Sequence, residues 1–252
     1  MINLTDEIIL VTGSSSGIGA AIALTLAASG AQVILHYSNN EDGVLAVAEK
    51  IGRNKCQIVR ADLTVETGAI ALWEEAVAWQ GKIDTIVNNA GIYIPATIED
   101  DFESWSQVWQ KTLQVNLVAV GDLCREAILH FQTRGGGTII NIASRAAFRG
   151  DDTEHIHYAA SKGGVVALTK TIARGFAKDN ILAYSIAPGF VRTEKKDVAI
   201  EERGEEAFTR DIPLGKIADP QDVANTVAFL ASGLVPHATG TTIDINGASY
   251  VR

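Results

Sequence analysis

The sequence predicts an α/β protein: a single domain built on a doubly wound parallel sheet of about seven strands, with helices on both faces. Two observations favour this fold class. Short runs rich in Ile and Val alternate with longer segments whose apolar residues recur at helical spacing. The strand runs are apolar at nearly every position, which is typical of strands covered on both sides.

Seven apolar runs mark the strands in chain order. They span residues 8–11, 33–35, 58–59, 83–87, 138–142, 182–186 and 242–245. Apolar residues four positions apart predict helices between them. The clearest sets are Ile18, Ile22 and Leu26 after the first run, and Leu168, Ile172 and Phe176 before the sixth.

The 252 residues include no linker or low-complexity run, so one domain is expected over residues 1–252. The stretch at about 193–213 carries too many charges for a core element, and we expect it to form a lid over the substrate.

Composition narrows the partners and the compartment. The net charge is −9, and the basic residues are scattered, which excludes a nucleic-acid footprint and attraction to an anionic membrane. Neither a signal sequence nor a run of 18 apolar residues occurs. Cys56 and Cys124 form no CxxC pair and no metal set. We expect a cytoplasmic protein that holds no metal and acts on a small molecule.

A glycine-rich turn follows the first strand: Thr12-Gly13-Ser14-Ser15-Ser16-Gly17-Ile18-Gly19. Glycines at such a turn let backbone amides and the positive end of the next helix approach a diphosphate closely. The turn therefore predicts a dinucleotide in a Rossmann-like fold, although similar turns also occur for packing reasons.

Two further turns follow strands at the same edge. Asp62, in Ala61-Asp62-Leu63-Thr64, offers a carboxylate to an adenine amino group. Asn88-Asn89-Ala90-Gly91 is small enough to lie beside a cofactor. Each segment is equally compatible with an ordinary Asx turn.

Tyr158 and Lys162 lie one helical turn apart, in Tyr158-Ala159-Ala160-Ser161-Lys162. This spacing brings an ammonium near a phenol, and an adjacent cation lowers a phenol's pKa toward the range of proton transfer. Ser144 ends the fifth strand, where its hydroxyl is expected to hold a substrate oxygen while Tyr158 moves the proton.

Together, these motifs resemble the short-chain dehydrogenase/reductase family over essentially the whole chain. The resemblance rests on Thr12-Gly13-x-x-x-Gly17-x-Gly19, Asn88-Asn89-Ala90-Gly91, Asn116, Ser144, Tyr158-x-x-x-Lys162 and Pro188-Gly189. It implies an NAD(P)(H)-dependent oxidoreductase that acts on a carbonyl or secondary alcohol, assembled as a homotetramer or homodimer.

The resemblance also implies roles for single residues. Tyr158 is the expected acid/base, Lys162 tunes it and binds the nicotinamide ribose, and Ser144 orients the carbonyl. Asn116 resembles the helical asparagine that places a water in the proton relay. The residues expected to bind the cofactor are Gly13, Ser15, Ser16, Gly17, Ile18, Gly19, Tyr37, Ser38, Asp62, Leu63, Asn89, Ala90, Gly91, Tyr158, Lys162, Pro188, Gly189, Val191 and Thr193.

The end of the second strand predicts NADP(H) rather than NAD(H). Enzymes that prefer NAD usually present a carboxylate at this strand end, which repels a 2′-phosphate. Here Tyr37 holds that position, and no acid follows until Glu41. Ser38 is a neutral donor, and His36 is expected to add partial charge. No arginine or lysine stands near Tyr37 in the sequence.

Three alternatives stay open. The enzyme alternative is a 3-oxoacyl-[acyl-carrier-protein] reductase. The non-enzymatic one is a dinucleotide-binding sensor, which is expected to have lost Tyr158 or Lys162. Arg145 and Arg149, in the loop before Tyr158, either hold an anionic substrate or pair with acids of their own loop.

Overall fold

The computed structural model describes residues 2–252, apart from the side chains of Lys195, Lys196, Val198, Ala199 and Arg203. Seven strands form one parallel sheet in the order β3-β2-β1-β4-β5-β6-β7. The strands are β1 Ile8–Val11, β2 Gln32–Tyr37, β3 Cys56–Arg60, β4 Thr85–Asn88, β5 Gly137–Ile142, β6 Ile181–Pro188 and β7 Thr242–Ile245. The predicted fold class is confirmed.

Helices cover both faces of the sheet. They are α1 Gly17–Ala28, α2 Glu41–Ile51, α3 Gly68–Gln80, α4 Phe102–Leu113, α5 Ala119–Arg134, α6 Ala146–Arg149, α7 Ile156–Phe176, α8 Glu194–Arg203, α9 Glu206–Thr209 and α10 Pro220–Ala231. A π-helical turn, Gln114–Val118, joins α4 to α5. Within the described part of the chain, no helix is long and apolar enough to cross a membrane.

Alternate residues of each strand face two separate cores. In β1, Ile9 and Val11 pack with α1, α2 and α10, whereas Leu10 packs with α3 and α5 on the other face. Val33 and Ile34 divide in the same way in β2. Burial of both faces explains why the strand runs contain almost no polar residues.

The fourth strand begins at Thr85, two residues later than its apolar run. The backbone amide of Ile83 donates to the His130 ring at 3.2 Å, and the Asp84 carboxylate accepts from the amide of Ile8 at 2.9 Å. The backbone of Asp84 already bonds to Ile8 and Thr138, so the Ile83 amide is the group that lies outside the ladder.

Strand order reverses between β1 and β4, because the chain builds outward from β1 in one direction and then returns to its other side. In open parallel sheets, this reversal leaves a crevice beyond the carboxyl ends of the strands, where ligands bind.

Candidate active site

A cavity of about 630 Å³ opens at the carboxyl edge of strands β1 to β4. Its walls are the turns that follow these strands and the first residues of α1 and α8. A cavity of this size and position suits a cofactor. The predicted cofactor residues that line it are Gly13, Ser15, Ser16, Gly17, Ile18, Gly19, Tyr37, Ser38, Asp62, Leu63, Asn89, Ala90, Gly91 and Thr193.

The glycine-rich turn brings two stretches of backbone into contact. A side-chain carbon on Gly19 would overlap the carbonyl oxygen of Gly13, and one on Gly13 would lie 3.0 Å from the Cα of Ala90. Gly13 also has a φ of +66°, in the left-handed region. Only glycine satisfies these positions without strain.

The N-terminus of α1 is available to an anion. Ser16, the N-cap residue, makes no capping hydrogen bond through its side chain, and the first turn contains no acidic residue. The first amides of a helix have no partner within the helix, and the helix dipole adds partial positive charge. Because this end faces the cavity, it suits the diphosphate of a dinucleotide.

The turn after β4 is tied to the turn after β1. The hydroxyl of Thr12 accepts hydrogen bonds from the backbone amides of Asn89 and Ala90, both at 2.9 Å. In return, the Asn89 side chain donates to the carbonyls of Thr12 at 2.9 Å and Gly13 at 3.2 Å. The two turns therefore form one wall of the cavity.

Asp62 forms an Asx turn and lines the cavity as well. Its Oδ1 accepts hydrogen bonds from the Thr64 hydroxyl at 2.7 Å and the Thr64 amide at 2.9 Å. These bonds lower the pKa of Asp62, so its carboxylate is ionised at neutral pH.

His36 differs from its expected role, because it carries no charge near neutral pH. Its side chain is buried, and burial lowers its pKa to about 4. The Gly13 amide donates to its Nδ1 at 3.1 Å, so its Nε2 carries the proton and donates to the Ala61 carbonyl at 3.2 Å. His36 thus holds together the turns after β1 and β3.

Tyr158, Lys162 and Ser144 meet beyond the end of β5. Tyr158 and Lys162 lie on one face of α7, with the Lys162 Nζ 5.9 Å from the centre of the phenol ring. This Nζ donates to the Ile142 carbonyl at 2.8 Å. Ser144 follows β5 and hydrogen-bonds to the Tyr158 side chain. The three side chains predicted for chemistry therefore form one cluster.

The pKa of the Tyr158 phenol differs from the sequence-based expectation. Burial, opposed by the hydrogen bond from Ser144 and helped by the Asp151 carboxylate, raises this pKa to about 12. Burial also lowers the pKa of Lys162 to about 8. Desolvation dominates both groups because α7 and the sheet enclose them, so the neutral phenol is the resting form.

A family model described as enoyl-(acyl carrier protein) reductase matches residues 13–248. Among curated relatives, the 3-oxoacyl-[acyl-carrier-protein] reductase FabG of Staphylococcus aureus is 34% identical over 244 residues, covering 96% of this chain and 97% of its own. FabG of Aquifex aeolicus is 35% identical over 253 residues, covering 99% of each chain. This chain is a short-chain dehydrogenase/reductase.

Two solved structures share the whole fold. A 3-oxoacyl-(acyl-carrier-protein) reductase of Agrobacterium tumefaciens with NADP bound has a TM-score of 0.90 and 31% identity, covering 98% of this chain and 95% of that one. A protein described as an NAD(P)-dependent gluconate 5-dehydrogenase from Beutenbergia cavernae, with NADP at low occupancy, has a TM-score of 0.88 and 34% identity, covering 98% of both. The short-chain dehydrogenase/reductase is therefore an NAD(P)(H)-dependent oxidoreductase, as the sequence predicts.

Asn116 lies in the π-helical turn and is fully buried. Its side chain accepts from the Ile92 amide at 2.8 Å and donates to the Ile92 carbonyl at 2.9 Å. A side-chain carbon on the preceding glycine, Gly91, would lie 3.3 Å from the Asn116 Oδ1 and 3.6 Å from the Lys162 Nζ. In this dehydrogenase/reductase, Asn116 thus fixes the turn that joins the cavity to Lys162.

The segment after β6 reaches the cavity only at its end, where Thr193 is among the lining residues. The Gly189 amide donates to the Ile245 carbonyl at 2.9 Å, and Val191 bridges to Ala218. At the end of the segment, the Thr193 methyl would lie 3.1 Å from a side-chain carbon on Gly17. Some predicted cofactor residues stand outside the cavity lining: Tyr158, Lys162, Pro188, Gly189 and Val191.

Sequence reasoning missed an aromatic wall beside the catalytic cluster. Tyr93 stacks on His155 with ring centres 3.7 Å apart and meets the Tyr158 ring edge-on at 4.7 Å. Its hydroxyl donates to Asp151 at 3.4 Å, although 52% of the residue remains exposed. The available signal was the position of Tyr93, two residues after Gly91 in the turn that borders the cofactor.

Other residues also line the cavity without having been predicted to bind the cofactor. They are His36, Asn39, Asn40, Thr64, Ile92, Lys111, Val115 and Glu194. Lys111 comes from α4, far along the chain from the glycine-rich turn, and its charge contributes to the lowered pKa of Asp62. Its spacing along the chain does not indicate this position.

The side chains of Arg145 and Arg149 contact residues that lie far along the chain from their own loop. Arg149 lies 3.8 Å from the Asp211 carboxylate, and Arg145 donates to the Ser249 hydroxyl at 2.5 Å. Within the described residues, neither forms an ion pair with the acids of 151–154. Both arginines are instead tied to the C-terminal third of the chain.

Proposed function

We propose that this chain transfers a hydride between NADP(H) and a small carbonyl or secondary alcohol, with Tyr158 as proton donor and acceptor. The observation that carries the proposal is the cluster in which the half-buried Tyr158 phenol hydrogen-bonds to Ser144 beside the buried Lys162. The retention of both Tyr158 and Lys162 argues against a non-catalytic sensor.

Tyr158 supplies the proton during reduction. Because its pKa is about 12, the phenol is protonated at neutral pH and can donate to a carbonyl oxygen as that oxygen gains negative charge. Ser144 holds the same oxygen through its hydroxyl, a neutral donor that strengthens as the charge develops. The bound nicotinamide supplies or accepts the hydride.

Lys162 is proposed to stabilise the phenolate that remains after the proton has left. Its ammonium is buried close to the ring, so its field is weakly screened by solvent. Asn116 is a positioning residue, because its side chain is committed to the Ile92 backbone. Its π-helical turn widens the backbone beside the cluster, as such turns often do at functional sites.

The residues around the cavity fit a dinucleotide. The turn from Gly13 to Gly19 suits the diphosphate, because glycine is required there and the N-terminus of α1 is open. Asp62 and Leu63 are proposed to hold the adenine, and Tyr37 and Ser38 its ribose. The nicotinamide end is assigned to Asn89, Ala90 and Gly91, to Tyr158 and Lys162, and to Pro188, Gly189, Val191 and Thr193.

The preference for NADP(H) is supported by the end of β2. Tyr37, Ser38, Asn39 and Asn40 line the cavity there and are uncharged. A 2′-phosphate therefore meets no carboxylate from this strand end. Both structural neighbours described above carry NADP.

A second candidate is reduction of a 3-oxoacyl group on acyl carrier protein, which the curated relatives favour by name. The two candidates are separated by comparing acetoacetyl-carrier protein with free ketones and keto sugars. A higher kcat/KM for the carrier-bound thioester would favour reduction of a 3-oxoacyl group on acyl carrier protein over the proposed small substrate.

The test of the proposed function follows the absorbance of reduced nicotinamide while a panel of ketones, secondary alcohols and acyl thioesters is offered with each cofactor. We expect turnover of at least one substrate, faster with NADP(H) than with NAD(H). Tight binding of the dinucleotide with no turnover across the panel would favour the sensor instead.

A cytoplasmic location and a homotetramer or homodimer complete the proposal. The assembly is supported by apolar side chains exposed on the single chain, such as Val118 in the π-helical turn and Leu129 on α5. Light scattering of the purified protein tests it: a mass of one 26.8 kDa chain would contradict it.

A further inference from the structure

Arg60 lies beside Tyr37, although the sequence separates them by α2. It is the last residue of β3, and the parallel pairing of β2 with β3 places it directly opposite Tyr37. Its Nε donates to the carbonyl of Ser38 at 3.3 Å. The sequence showed no basic residue near Tyr37, because this neighbour comes from a different strand.

The side chain of Arg60 emerges on the same face of the sheet as Tyr37. Cys56 and Ile58 alternate with Val59 along β3, and both pack into the core that also contains Tyr37, whereas Val59 packs into the other. Arg60 continues the Cys56 and Ile58 series. Arg60 itself does not line the cavity, but its strand neighbour Tyr37 and its hydrogen-bond partner Ser38 do, on the side where the adenosine ribose is proposed to lie.

The guanidinium of Arg60 retains most of its hydrogen-bonding capacity. Arg60 is exposed, and within the described residues its one hydrogen bond uses Nε and leaves both terminal nitrogens for another acceptor. No described carboxylate lies within ion-pair distance of it. The nearby Asp62 is engaged by Thr64 through its Oδ1.

A planar guanidinium with two free nitrogens matches the oxygen pairs of a phosphate. The adjoining cavity wall from Tyr37 to Asn40 offers only neutral groups. We propose that Arg60 is the cation that holds the 2′-phosphate of NADP(H) and so determines the choice of cofactor. This inference rests on the proposed NADP(H)-dependent function.

The test compares Arg60→Gln with Arg53→Gln. Arg53 is also exposed and lies just before the opposite end of β3, so both variants change the net charge equally. Dissociation constants for NADPH and NADH are measured by fluorescence titration at fixed ionic strength. We expect Arg60→Gln to raise the dissociation constant for NADPH about tenfold or more, about 1.4 kcal/mol. The dissociation constant for NADH should stay within about twofold. Arg53→Gln should leave both unchanged.

An equal loss for NADPH and NADH would overturn the inference, since it would mean that Arg60 only supports the Ser38 turn. No loss for either would overturn it as well. Arg60→Lys keeps the charge but not the planar guanidinium, so it should lose less affinity for NADPH than Arg60→Gln. This order of affinities would confirm that recognition of the phosphate is being measured.

Competition by adenosine 2′-monophosphate and adenosine 5′-monophosphate separates this inference from the proposed function. We expect Arg60→Gln to weaken binding of adenosine 2′-monophosphate and to leave binding of the 5′-monophosphate unchanged. If the unaltered protein turns over its substrate with NADPH while Arg60→Gln changes neither competitor, the inference fails and the proposed function stands. If the unaltered protein binds neither dinucleotide, both fail.

Discussion

The Tyr158 phenol is partly withdrawn from solvent and lies in the field of the Asp151 carboxylate, and both effects raise its pKa. Burial is the larger cause, Asp151 adds to it by disfavouring a second negative charge nearby, and the pKa is about 12 as a result. In carbonyl reduction the phenol is a donor and is fully protonated below that pKa. In alcohol oxidation it must first lose its proton, so the two directions should respond differently to pH.

The first prediction concerns this pH response. Replacing Asp151 by Asn removes a negative charge and lowers the pKa of Tyr158, so the rising limb of alcohol oxidation should move to lower pH by a fraction of a pH unit. The measurement is kcat/KM for oxidation as a function of pH. Glu154→Gln is the control, because Glu154 lies in the same loop but does not act on the pKa of Tyr158. An unmoved limb in Asp151→Asn would contradict this electrostatic assignment.

The second prediction concerns Lys162, whose pKa falls to about 8 on burial. Between pH 8 and its unfolded pKa of about 10.5, the unfolded chain binds more protons, so this group's contribution to stability rises with pH. Below pH 8 the buried charge destabilises the fold. Lys162→Met should therefore raise the Tm of the cofactor-free protein by a few degrees at pH 7, and this gain should vanish near pH 10.5.

Lys170→Met is the control for that measurement, because Lys170 is exposed on the same helix. Its Tm should stay close to that of the unaltered protein at both pH values. A Lys162→Met variant that is less stable at pH 7 would show that the hydrogen bond to Ile142 outweighs the desolvation of the charge.

Residues such as Tyr158, Lys162 and Ser144 were predictable because their spacing along the chain carries the signal. Tyr93 and Arg60 were not, because tertiary pairing gives them their position. Arg60 reaches Tyr37 only through strand register, and Tyr93 reaches Tyr158 only through loop packing. His36 was predicted to add partial positive charge, but burial keeps it neutral. Burial at a strand end cannot be inferred from residue type.

At the scale of elements, the turn between β1 and α1 depends on the absence of side chains. A methyl group on Gly19 would overlap the Gly13 carbonyl, so Gly19→Ala should displace the turn and weaken dinucleotide binding by at least about tenfold, with some loss of Tm. Fluorescence titration and thermal unfolding measure both effects.

Gly121→Ala is the matched control for Gly19→Ala. Gly121 lies inside α5, and an added side-chain carbon there meets nothing within 4 Å. Alanine in a helix is favoured over glycine, so this variant should be stabilised by about 0.5 to 1 kcal/mol and should bind the dinucleotide normally. If both variants behaved alike, the close contact with Gly13 would not be the reason for glycine at position 19.

The polar stretch at 193–213 forms two helices, α8 and α9, and was predicted only as a lid. Arg192 pairs across it with Asp197 at 3.4 Å and Glu205 at 2.7 Å, and all three side chains are about half exposed. Ile200 and Ile212 are its buried apolar residues in the described part. A segment held by exposed ion pairs and few apolar contacts is expected to open more readily than the sheet.

The fourth prediction is that hydrogen exchange in 193–213 slows when cofactor and substrate are both bound. Closure over the substrate excludes water and orders the segment. The central strands β1 and β4 serve as the internal control and should keep the same protection throughout. Equal exchange from 193–213 in the free and bound states would count against a lid.

At the scale of the whole molecule, nearly the complete sheet was predictable from sequence. A strand that is buried on both faces must be apolar throughout, and this pattern stands out between amphipathic helices. The order of the strands was not predicted, because periodicity does not carry it; only their parallel arrangement followed from the alternation of strands and helices. β4 begins later than its apolar run, because the backbone amide of Ile83 bonds to the His130 ring and not to a neighbouring strand.

The sheet also explains why the active site forms where it does. The turns after β1, β3 and β4 meet because parallel strands end at one edge, and His36 and Thr12 fasten these turns to one another. Beyond β5, the same edge presents Ser144 to Tyr158. Dinucleotide cavity and proton donor are thus consequences of one topology.

The central claim is that Tyr158 transfers the proton and that binding of the cofactor does not depend on its hydroxyl. The most direct test is Tyr158→Phe, which removes one hydroxyl and keeps the ring. Turnover of the best substrate should fall by about 10² to 10⁴, because general acid catalysis is lost, while the dissociation constant for NADPH should stay within a few fold. Turnover near that of the unaltered protein would contradict the account.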